Sequence, residues 1–199
     1  AIDPEYDHYL ATITSSDEQD EINRQLKGAV AGTEMWLGGS DSELNGEAPG
    51  FNEGNWRWVE HFRGSYYERG RSVAVDAQER VFVTGEFSYQ IEFTGGATLN
   101  NGNRGYDYWG FIAQYSSSGT YSWSKEFGYS SYETYPQGIS VDSGGNATVC
   151  GHFYYYSAFS GNQLTSNGGS WDMFVAQISP SGNWNWYDKG GGTGTDYCF

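Results

Sequence analysis

The sequence predicts a mainly β fold made of antiparallel four-stranded units, and three observations support this prediction. One stretch is written twice, at 64–127 and 128–190. Each copy holds four short runs in which apolar and polar residues alternate, with turn-forming residues between the runs. The composition suits strands and tight turns, because it includes 8 Trp, 17 Tyr, 11 Phe and 29 Gly among 199 residues.

Matching residues keep an almost constant spacing between the two copies. The pairs that define the repeat are Asp76 and Asp142, Gly85 and Gly151, Phe111 and Phe174, and Trp123 and Trp186. The first two pairs are 66 residues apart and the last two are 63 apart. The spacing changes only between Phe87 and Phe111, so one loop accounts for the difference in length. A repeat of this kind is typical of an array of similar supersecondary units.

The four runs of each copy predict four strands. In the first copy they pass through Val73 to Val75, Phe82 to Phe87, Phe111 to Tyr115, and Tyr121 to Trp123. Ser-Gly at 118–119 and 181–182 and Gly-Gly-Asn at 144–146 supply turns between them. Four antiparallel strands per repeat is the arrangement of a propeller blade, so we expect propeller-type blades here.

The order of these sequence motifs also resembles the repeat of a known family. The pattern V-D-x-x-G-N-x-x-V-x-G-x-F, then F-[IV]-A-x-[YI]-x-x-x-G-x-x-x-W and Gly-Gly, resembles the beta-propeller repeat of secreted bacterial proteins over 64–199. The resemblance implies four-stranded blades and an extracellular or cell-surface location. The first copy departs from the pattern at Gln78-Glu79-Arg80, where the turn lacks its glycine.

Residues 1–62 differ in character and predict a small α+β segment with one helix. Ser15 and Glu18 form a capping box, which satisfies free amide groups at the start of a helix. Apolar residues then recur at helical spacing as far as Val30. We therefore predict one amphipathic helix over 16–30.

A second resemblance covers about the same segment, from 8 to 60. Its words are Leu10-Ala11-Thr12-Ile13, Met35-Trp36-Leu37-Gly38 and Glu53-Gly54-Asn55-Trp56-Arg57-Trp58. Their order resembles the middle of a C-type lectin-like domain, in which Trp36, Trp56 and Trp58 would be packing residues. The motifs that bind calcium and sugar in that family are absent from this sequence, so the resemblance assigns no ligand-binding residue to this chain.

The domain boundary is predicted near Phe62, between a lectin-like segment at 1–62 and propeller-type repeats at 63–199. A third repeat begins at 191–199. Closed propellers use about 4–8 blades, and two blades leave unpaired strand edges. We therefore expect copies of the chain, or other segments of a longer parent protein, to complete these sheets.

The charge of the chain limits its partners. The formal net charge is −15, which argues against binding to nucleic-acid phosphates and against docking on anionic membranes. No apolar run approaches the length of about 20 residues that spans a bilayer, so no membrane insertion is expected.

No sequence pattern indicates a catalytic centre, and we expect a non-enzymatic protein without a cofactor. The three histidines lie in separate segments, and His152 is expected to face solvent from its strand. Asp76 and Asp142 are expected to cap tight turns by accepting backbone amides. Calcium binding is the alternative for this aspartate pair.

Aromatic residues divide into two groups. Those that recur in both copies, including Trp123 and Trp186, are interpreted as blade core. Those that do not recur are candidates for ligand binding or for interfaces with other chains. They are Tyr66, Tyr67, Tyr89, Tyr106, Trp109, Tyr154, Tyr155, Trp171 and Trp184. Because exposed rings beside Asn, Gln and Ser suit sugar stacking, glycans are the alternative partner, with or without calcium.

Two cysteines complete the set of candidates. Cys150 lies on the second strand of one repeat and Cys198 at the start of the next, and adjacent blades would bring them together. A disulfide closing this loop would stabilise the fold by about 3–4 kcal/mol. The prediction depends on an extracellular location, and two buried thiols are the alternative. The spacing does not resemble a zinc site.

Overall fold

The described part of the chain is almost entirely β. The computed structural model describes residues 34–40, 56–64, 66–102 and 107–198, with backbone alone at 34–40 and 56–57. Its strands and one short 3-10 helix confirm the predicted fold class. None of the helices in this part is long and apolar enough to cross a membrane. The helix predicted at 16–30 and most of the lectin-like segment lie outside the described residues.

The described residues form fourteen strands. They are β1 (Glu34–Ser40), β2 (Trp56–Gly64), β3 (Tyr67–Val75), β4 (Val81–Ser88), β5 (Gln90–Phe93), β6 (Thr98–Asn100), β7 (Tyr108–Tyr115), β8 (Tyr121–Phe127), β9 (Thr134–Val141), β10 (Ala147–Tyr154), β11 (Tyr156–Phe159), β12 (Asn162–Thr165), β13 (Trp171–Ile178) and β14 (Trp184–Gly190). The 3-10 helix is Asn167–Gly169, between β12 and β13.

Each repeat forms one four-stranded antiparallel sheet. The sheet that we call blade 1 has the order β3-β4-β7-β8, and blade 2 has the order β9-β10-β13-β14. The register also repeats, since Gly85 faces Phe111 in blade 1 and Gly151 faces Phe174 in blade 2. The predicted four strands per repeat are therefore confirmed.

A short hairpin is inserted between the second and third strands of each blade, and we call it the strap. The strap of blade 1 is β5-β6, and it pairs with β2 through Phe62 and Phe93. The strap of blade 2 is β11-β12, and Gly128 and Ala158 exchange backbone hydrogen bonds of 3.1 and 3.2 Å. Each strap thus extends the outer strand of the preceding sheet. The predicted length difference between the copies falls within this insertion.

Two apolar cores lie between successive sheets. The first contains Phe62 of β2 together with Phe87 and Phe111 of blade 1. The second contains Phe82 of blade 1 together with Phe153 and Phe174 of blade 2. Since neighbouring residues of a strand point to opposite faces, Phe82 and Val83 enter different cores. Blade 1 is therefore packed on both faces. The predicted boundary near Phe62 falls inside β2, at a fully buried side chain.

Among the described residues, only one face of blade 2 is covered by another sheet. From Gly110 to Tyr115, every residue of β7 is buried, whereas buried and half-buried residues alternate along β13. Ile112 is fully buried, but Val175, which occupies the same position in blade 2, is half-buried. The outer face of blade 2 therefore has the pattern of a blade that lacks a neighbour.

The predicted aspartate turns are confirmed. The Asp76 carboxylate accepts hydrogen bonds from the amides of Gln78 and Arg80, both at 2.9 Å, and from the Arg80 guanidinium at 2.5 Å. Asp142 accepts the amides of Gly144 and Asn146 in the same way. The missing glycine of the first copy is replaced by Glu79, which adopts a left-handed φ of 59°. One turn geometry is thus kept with different residues.

Replacing Asp76 by alanine should lower the free energy of unfolding at pH 7 by about 2 kcal/mol, because it removes hydrogen bonds to a charged group. Burial alone would raise the pKa of Asp76, but the bonds from Arg80 and Gln78 outweigh it and lower the pKa. The stabilisation is therefore present above the ordinary carboxyl pKa and is lost as pH falls through the lower folded value. Urea unfolding from pH 7 to pH 2 measures it.

The matched control is Asp188→Ala, which removes an exposed carboxylate and should change stability by less than about 0.5 kcal/mol. If both variants lost the same stability at pH 7, the structural role assigned to the Asp76 turn would be wrong.

Candidate functional site

Successive sheets are joined by a repeated contact between a tryptophan and a turn. Trp58 of β2 donates its Nε1–H to the carbonyl of Ser117 at 3.0 Å. Trp123 of β8 donates to the carbonyl of Pro180 at 2.9 Å. Both acceptors lie in Ser-x-Ser-Gly turns, at 116–119 and 179–182, that connect the third and fourth strands of the following blade. We call this contact the Trp–turn joint.

The glycine of each turn allows the indole to approach. Gly119 and Gly182 have left-handed φ values of 79° and 77°. A Cβ at Gly119 would lie 2.6 Å from the Trp58 ring, and one at Gly182 would lie 3.0 Å from the Trp123 ring. Any other residue would therefore be strained and would push the ring away. The Ser-Gly words of the sequence thus serve the contact between blades as well as the turn.

Trp186 is the third copy of this tryptophan, but no turn in the described part of the chain covers it. Its side chain is 43% exposed, and the described residues provide no acceptor for its Nε1–H. The prediction that Trp186 belongs to the blade core is therefore wrong, because the structure places it on the uncovered face of blade 2. Trp123, in contrast, is half-buried against the second core.

A polar pocket of about 460 Å³ lies between the inner strands of the two blades, β3 and β9. We call it the inter-blade pocket. Its lining residues are Tyr67, Arg69, Arg71, Glu86, Tyr108, Tyr135, Gln137 and His152. Because strand side chains alternate, Tyr67, Arg69 and Arg71 share one face of β3. The pocket combines charged groups with aromatic walls.

An ion pair forms the base of this pocket. Glu86 is fully buried and accepts two hydrogen bonds of 2.7 Å from the Nε and a terminal nitrogen of Arg71. Burial raises the pKa of Glu86, and the Arg71 hydrogen bonds oppose that rise. Although burial disfavours the charged form of Arg71, the hydrogen bonds to Glu86 raise the pKa of this guanidinium. The pair satisfies both charges with two parallel bonds.

Tyrosines form the walls. The ring of Tyr108 lies 5.1 Å from Tyr67 and 5.6 Å from Tyr135, measured between centroids. The Tyr135 hydroxyl also hydrogen-bonds the Glu133 carboxylate. Burial raises the pKa of Tyr67 and of Tyr135, so both phenols are protonated at neutral pH. The walls therefore present neutral hydroxyls beside apolar ring faces.

His152 closes one side of the pocket, and the prediction that it faces solvent is wrong. Its exposed fraction is 9%, and the rings of Tyr135, Trp171 and Tyr197 pack around it at 4.7–5.6 Å. Burial lowers the pKa of His152, although a hydrogen bond to the backbone of Cys198 opposes the shift. The imidazole is therefore neutral at physiological pH.

The structure separates the predicted aromatic candidates into distinct environments. Tyr67 lines the inter-blade pocket, and Trp171 lies beside it with its ring 5.7 Å from Tyr135. Tyr154 and Tyr155 are 39% and 37% exposed. Trp184 packs against Phe127 and Phe159 at the edge of the second core. These residues therefore do not form one site.

The remaining candidates lie elsewhere. Tyr66 is 49% exposed just before β3, and Trp109 is half-buried in β7 beneath Gly128. Tyr89 is half-buried with a left-handed φ of 75° between β4 and β5. Tyr106 lies outside the described residues. Three of the four, Tyr66, Tyr89 and Trp109, do not line the inter-blade pocket.

Sequence reasoning missed the charged residues of the pocket. A signal for them was present, because Arg69 and Arg71 are two of only ten Lys and Arg residues in a chain with 25 acidic ones. Their spacing of two places both on one face of a strand. Glu86, their partner, occupies the position of His152 in the other repeat, so the comparison of the two copies gave no sign of an ion pair.

The two cysteines meet as expected, but as thiols. The Sγ atoms of Cys150 and Cys198 are 2.8 Å apart, and both residues are half-buried free cysteines. Burial raises the pKa of Cys198 to about 11, and the neighbouring Cys150 thiol adds to the shift. The disulfide itself stays a prediction, because a bond between the two sulfurs would be about 2.05 Å long.

Metal binding finds no support in the described part of the chain. In residues 34–40, 56–64, 66–102 and 107–198, no group of three or more His, Cys, Asp or Glu side chains is placed to hold a metal ion. Asp76 and Asp142 use their carboxylates for turn amides. The described residues therefore place no group of side chains around Asp76 or Asp142 that could bind calcium.

Replacing Trp123 by phenylalanine should lower the free energy of unfolding by at least about 1 kcal/mol, because the Pro180 carbonyl loses its donor. Trp186→Phe is the matched control and should change it by less than about 0.5 kcal/mol, because no joint exists there. Chemical denaturation measures both variants. Equal losses would contradict the assignment of the Trp–turn joint.

Oxidation of the purified protein should join Cys150 to Cys198 and raise the free energy of unfolding by about 4 kcal/mol, from the closed loop alone. Because the thiolate is the reactive form, the reaction should accelerate as pH rises towards the pKa of Cys198, about 11. Alkylation followed by mass measurement counts the thiols, and Cys198→Ser is the control. Two thiols that still react after oxidation would refute the bridge.

Comparison with known proteins gives two findings. A family model described as Beta-propeller repeat matches residues 122–152, from β8 through most of β10. No curated protein matches the chain. The matched stretch crosses the junction between the blades and contains Trp123 and the Asp142 turn. The match supports the beta-propeller repeat predicted from the sequence, and it indicates a structural module of the propeller type.

Proposed function

We propose that this chain is a non-enzymatic extracellular module for structure or adhesion, which assembles with further repeats through the uncovered face of blade 2. The partner repeats belong either to copies of the chain or to other segments of a longer protein. The observation that carries the proposal is the Trp–turn joint, which occurs twice and has a third, uncovered tryptophan at Trp186.

The pattern of burial supports an interface at this face. Met173 and Val175 are half-buried on β13, whereas the equivalent positions of blade 1 are covered by blade 2. Buried area between sheets is the main source of their cohesion, since apolar surface gains about 25 cal/mol per Å² when it leaves water. A further blade would cover Val175 in the way that blade 2 covers Ile112.

The backbone after β14 is shaped for a strap. Gly191 has a φ of 153°, and Gly128, which binds the strap of blade 2, has a φ of 154°. The Gly191 carbonyl at present accepts a hydrogen bond from the Asn167 side chain, which an incoming strap would replace. Both elements that fasten blade 2 to blade 1 therefore have a counterpart on the uncovered side.

Carbohydrate binding is the second candidate function. It is favoured by a surface group of Tyr129, Tyr132, Tyr154 and Tyr155, which we call the tyrosine patch. Tyr132 and Tyr155 stack at 5.3 Å with nearly parallel rings, and Tyr129 is 38% exposed. Exposed aromatic rings of this kind suit sugar faces. Glycan-array binding with and without a chelator tests this function, and silence across a broad array would contradict it.

Self-association should be reversible and should depend on Trp186. Replacement by lysine is expected to weaken it at least about tenfold, because a buried tryptophan at an interface commonly carries more than 2 kcal/mol. Val75→Lys is the matched control, since Val75 is also an exposed apolar residue, at 57%. Sedimentation velocity across a range of concentrations measures the association of each variant.

A second measurement tests whether a further repeat in the same chain, rather than another copy of the chain, can cover Trp186. In a chain in which 128–190 is repeated once more after Gly190, Trp186 should become covered, and Trp186→Phe should now destabilise as Trp123→Phe does. The proposal fails if the original chain is monomeric at every concentration and the added repeat leaves Trp186 as exposed as before.

A further inference from the structure

The inter-blade pocket is a cationic site in an acidic protein. The chain has a formal net charge of −15, yet the charged groups that line the pocket are Arg69, Arg71 and Glu86. Arg71 and Glu86 neutralise each other through their two hydrogen bonds. Since His152 is neutral at physiological pH, Arg69 is the one charged group of the lining that stands outside this hydrogen-bonded pair.

Arg69 lacks a full set of partners. Its Nε is buried and makes no hydrogen bond, and it lies 3.8 Å from Glu86, beyond hydrogen-bond distance. Its guanidinium carbon sits 5.2 Å from the centroid of Tyr67. A guanidinium has five N–H donors, and burying a charge is costly unless it is paired. The 24% exposure of this side chain leaves it accessible from the pocket.

The other lining groups suit a ligand that is rich in hydroxyls. The rings of Tyr67, Tyr108 and Tyr135 provide apolar faces, and the Tyr67 phenol and the Gln137 amide can donate and accept hydrogen bonds. The volume of about 460 Å³ lies within the range of small-molecule sites, about 300–1,000 Å³. A compact ring with polar substituents fits this combination better than an extended apolar ligand.

We propose that the inter-blade pocket binds an acidic sugar unit of the hexuronate type, with the ligand carboxylate on the guanidinium of Arg69. The planar guanidinium matches a carboxylate with two parallel hydrogen bonds. The sugar ring lies against the tyrosine walls, and its hydroxyls bond to the phenols and to Gln137. Glu133, which is not among the lining residues, accepts the Tyr135 hydroxyl, so that phenol can only accept a hydrogen bond from the ligand.

The inference deepens the carbohydrate-binding candidate, because it names a site and a ligand class. It shares no residue with the tyrosine patch or with Trp186. It also predicts a preference that aromatic stacking alone does not give. A neutral sugar of the same shape provides no anion for Arg69. The hexuronate should therefore bind more tightly, by the free energy of the hydrogen bonds between its carboxylate and the guanidinium.

The experiment is a titration of the full chain, ¹⁵N-labelled, with sodium glucuronate, followed by backbone amide shifts. We expect the shifts to centre on β3 and on β9. Glucose, which has the ring without the carboxylate, and acetate, which has the carboxylate without the ring, should each bind at least about tenfold more weakly. Raising the salt concentration should weaken glucuronate binding, because salt screens the partly exposed Arg69.

Single substitutions test whether Arg69 supplies the charge that binds the ligand carboxylate. Arg69→Gln should weaken glucuronate binding about 10–100-fold and leave glucose binding unchanged. Arg63→Gln removes an equal charge from an exposed position on β2 and should have no effect. Amide spectra of each variant verify the fold, and Gln137→Ala, with an expected loss of glucuronate affinity, replaces Arg69→Gln if that variant does not fold.

The possible outcomes distinguish an acidic-sugar site from a neutral-sugar site, a general anion site and the tyrosine patch. Equal binding of glucose and glucuronate, or unchanged affinity in Arg69→Gln, would overturn the acid site and leave sugar binding standing. Equal binding of acetate would show a general anion site and overturn the sugar ligand. Shifts confined to the tyrosine patch would keep carbohydrate binding and overturn this site. No response to either sugar would overturn the inference, and with a silent glycan array it would also remove the second candidate function.

Discussion

The need to cover both faces of each blade governs this structure. A strand alternates its side chains between two faces, and blade 1 carries apolar residues on both, with Phe82 on one and Val83 on the other. Such a sheet is stable only between two neighbours, because a face left in water loses the gain from burial. β2 and the strap β5-β6 cover one face of blade 1, and blade 2 covers the other. The Trp–turn joint fixes the positions of these neighbours.

The same packing creates the polar site. Glu86 points to the face of β4 that blade 2 covers, and it is fully buried there. Arg71 compensates for that burial with two hydrogen bonds, while Arg69 on the same face of β3 keeps its charge close to solvent. A pocket whose lining includes an arginine without a hydrogen-bonded counterion thus arises where the inner strands of two blades meet. The contact between the two blades therefore determines both the packing of the fold and the charged groups of the pocket.

The sequence predicted the repeated parts of the fold well. The spacing of Asp76 and Asp142 and of Trp123 and Trp186 identified the unit, its four strands and the turns, because these features depend on local residue patterns. It predicted neither the straps nor the environments of Trp186 and His152. Their burial depends on which blade lies against them, and two copies of one residue can face different surroundings. The Arg71–Glu86 pair was missed because Arg71 lies at a bulge, where the register of β3 with β4 shifts between Gly70 and Ser72.

Hydrogen exchange of the indole Nε1–H groups, followed by NMR, tests the central claim most directly. The structure predicts slow exchange at Trp58 and Trp123, because each donates to a turn carbonyl of the next blade. It predicts fast exchange at Trp186 in the monomer, because that indole is exposed on the uncovered face. Equal exchange at all three, or protection of Trp186 in the isolated monomer, would contradict the account.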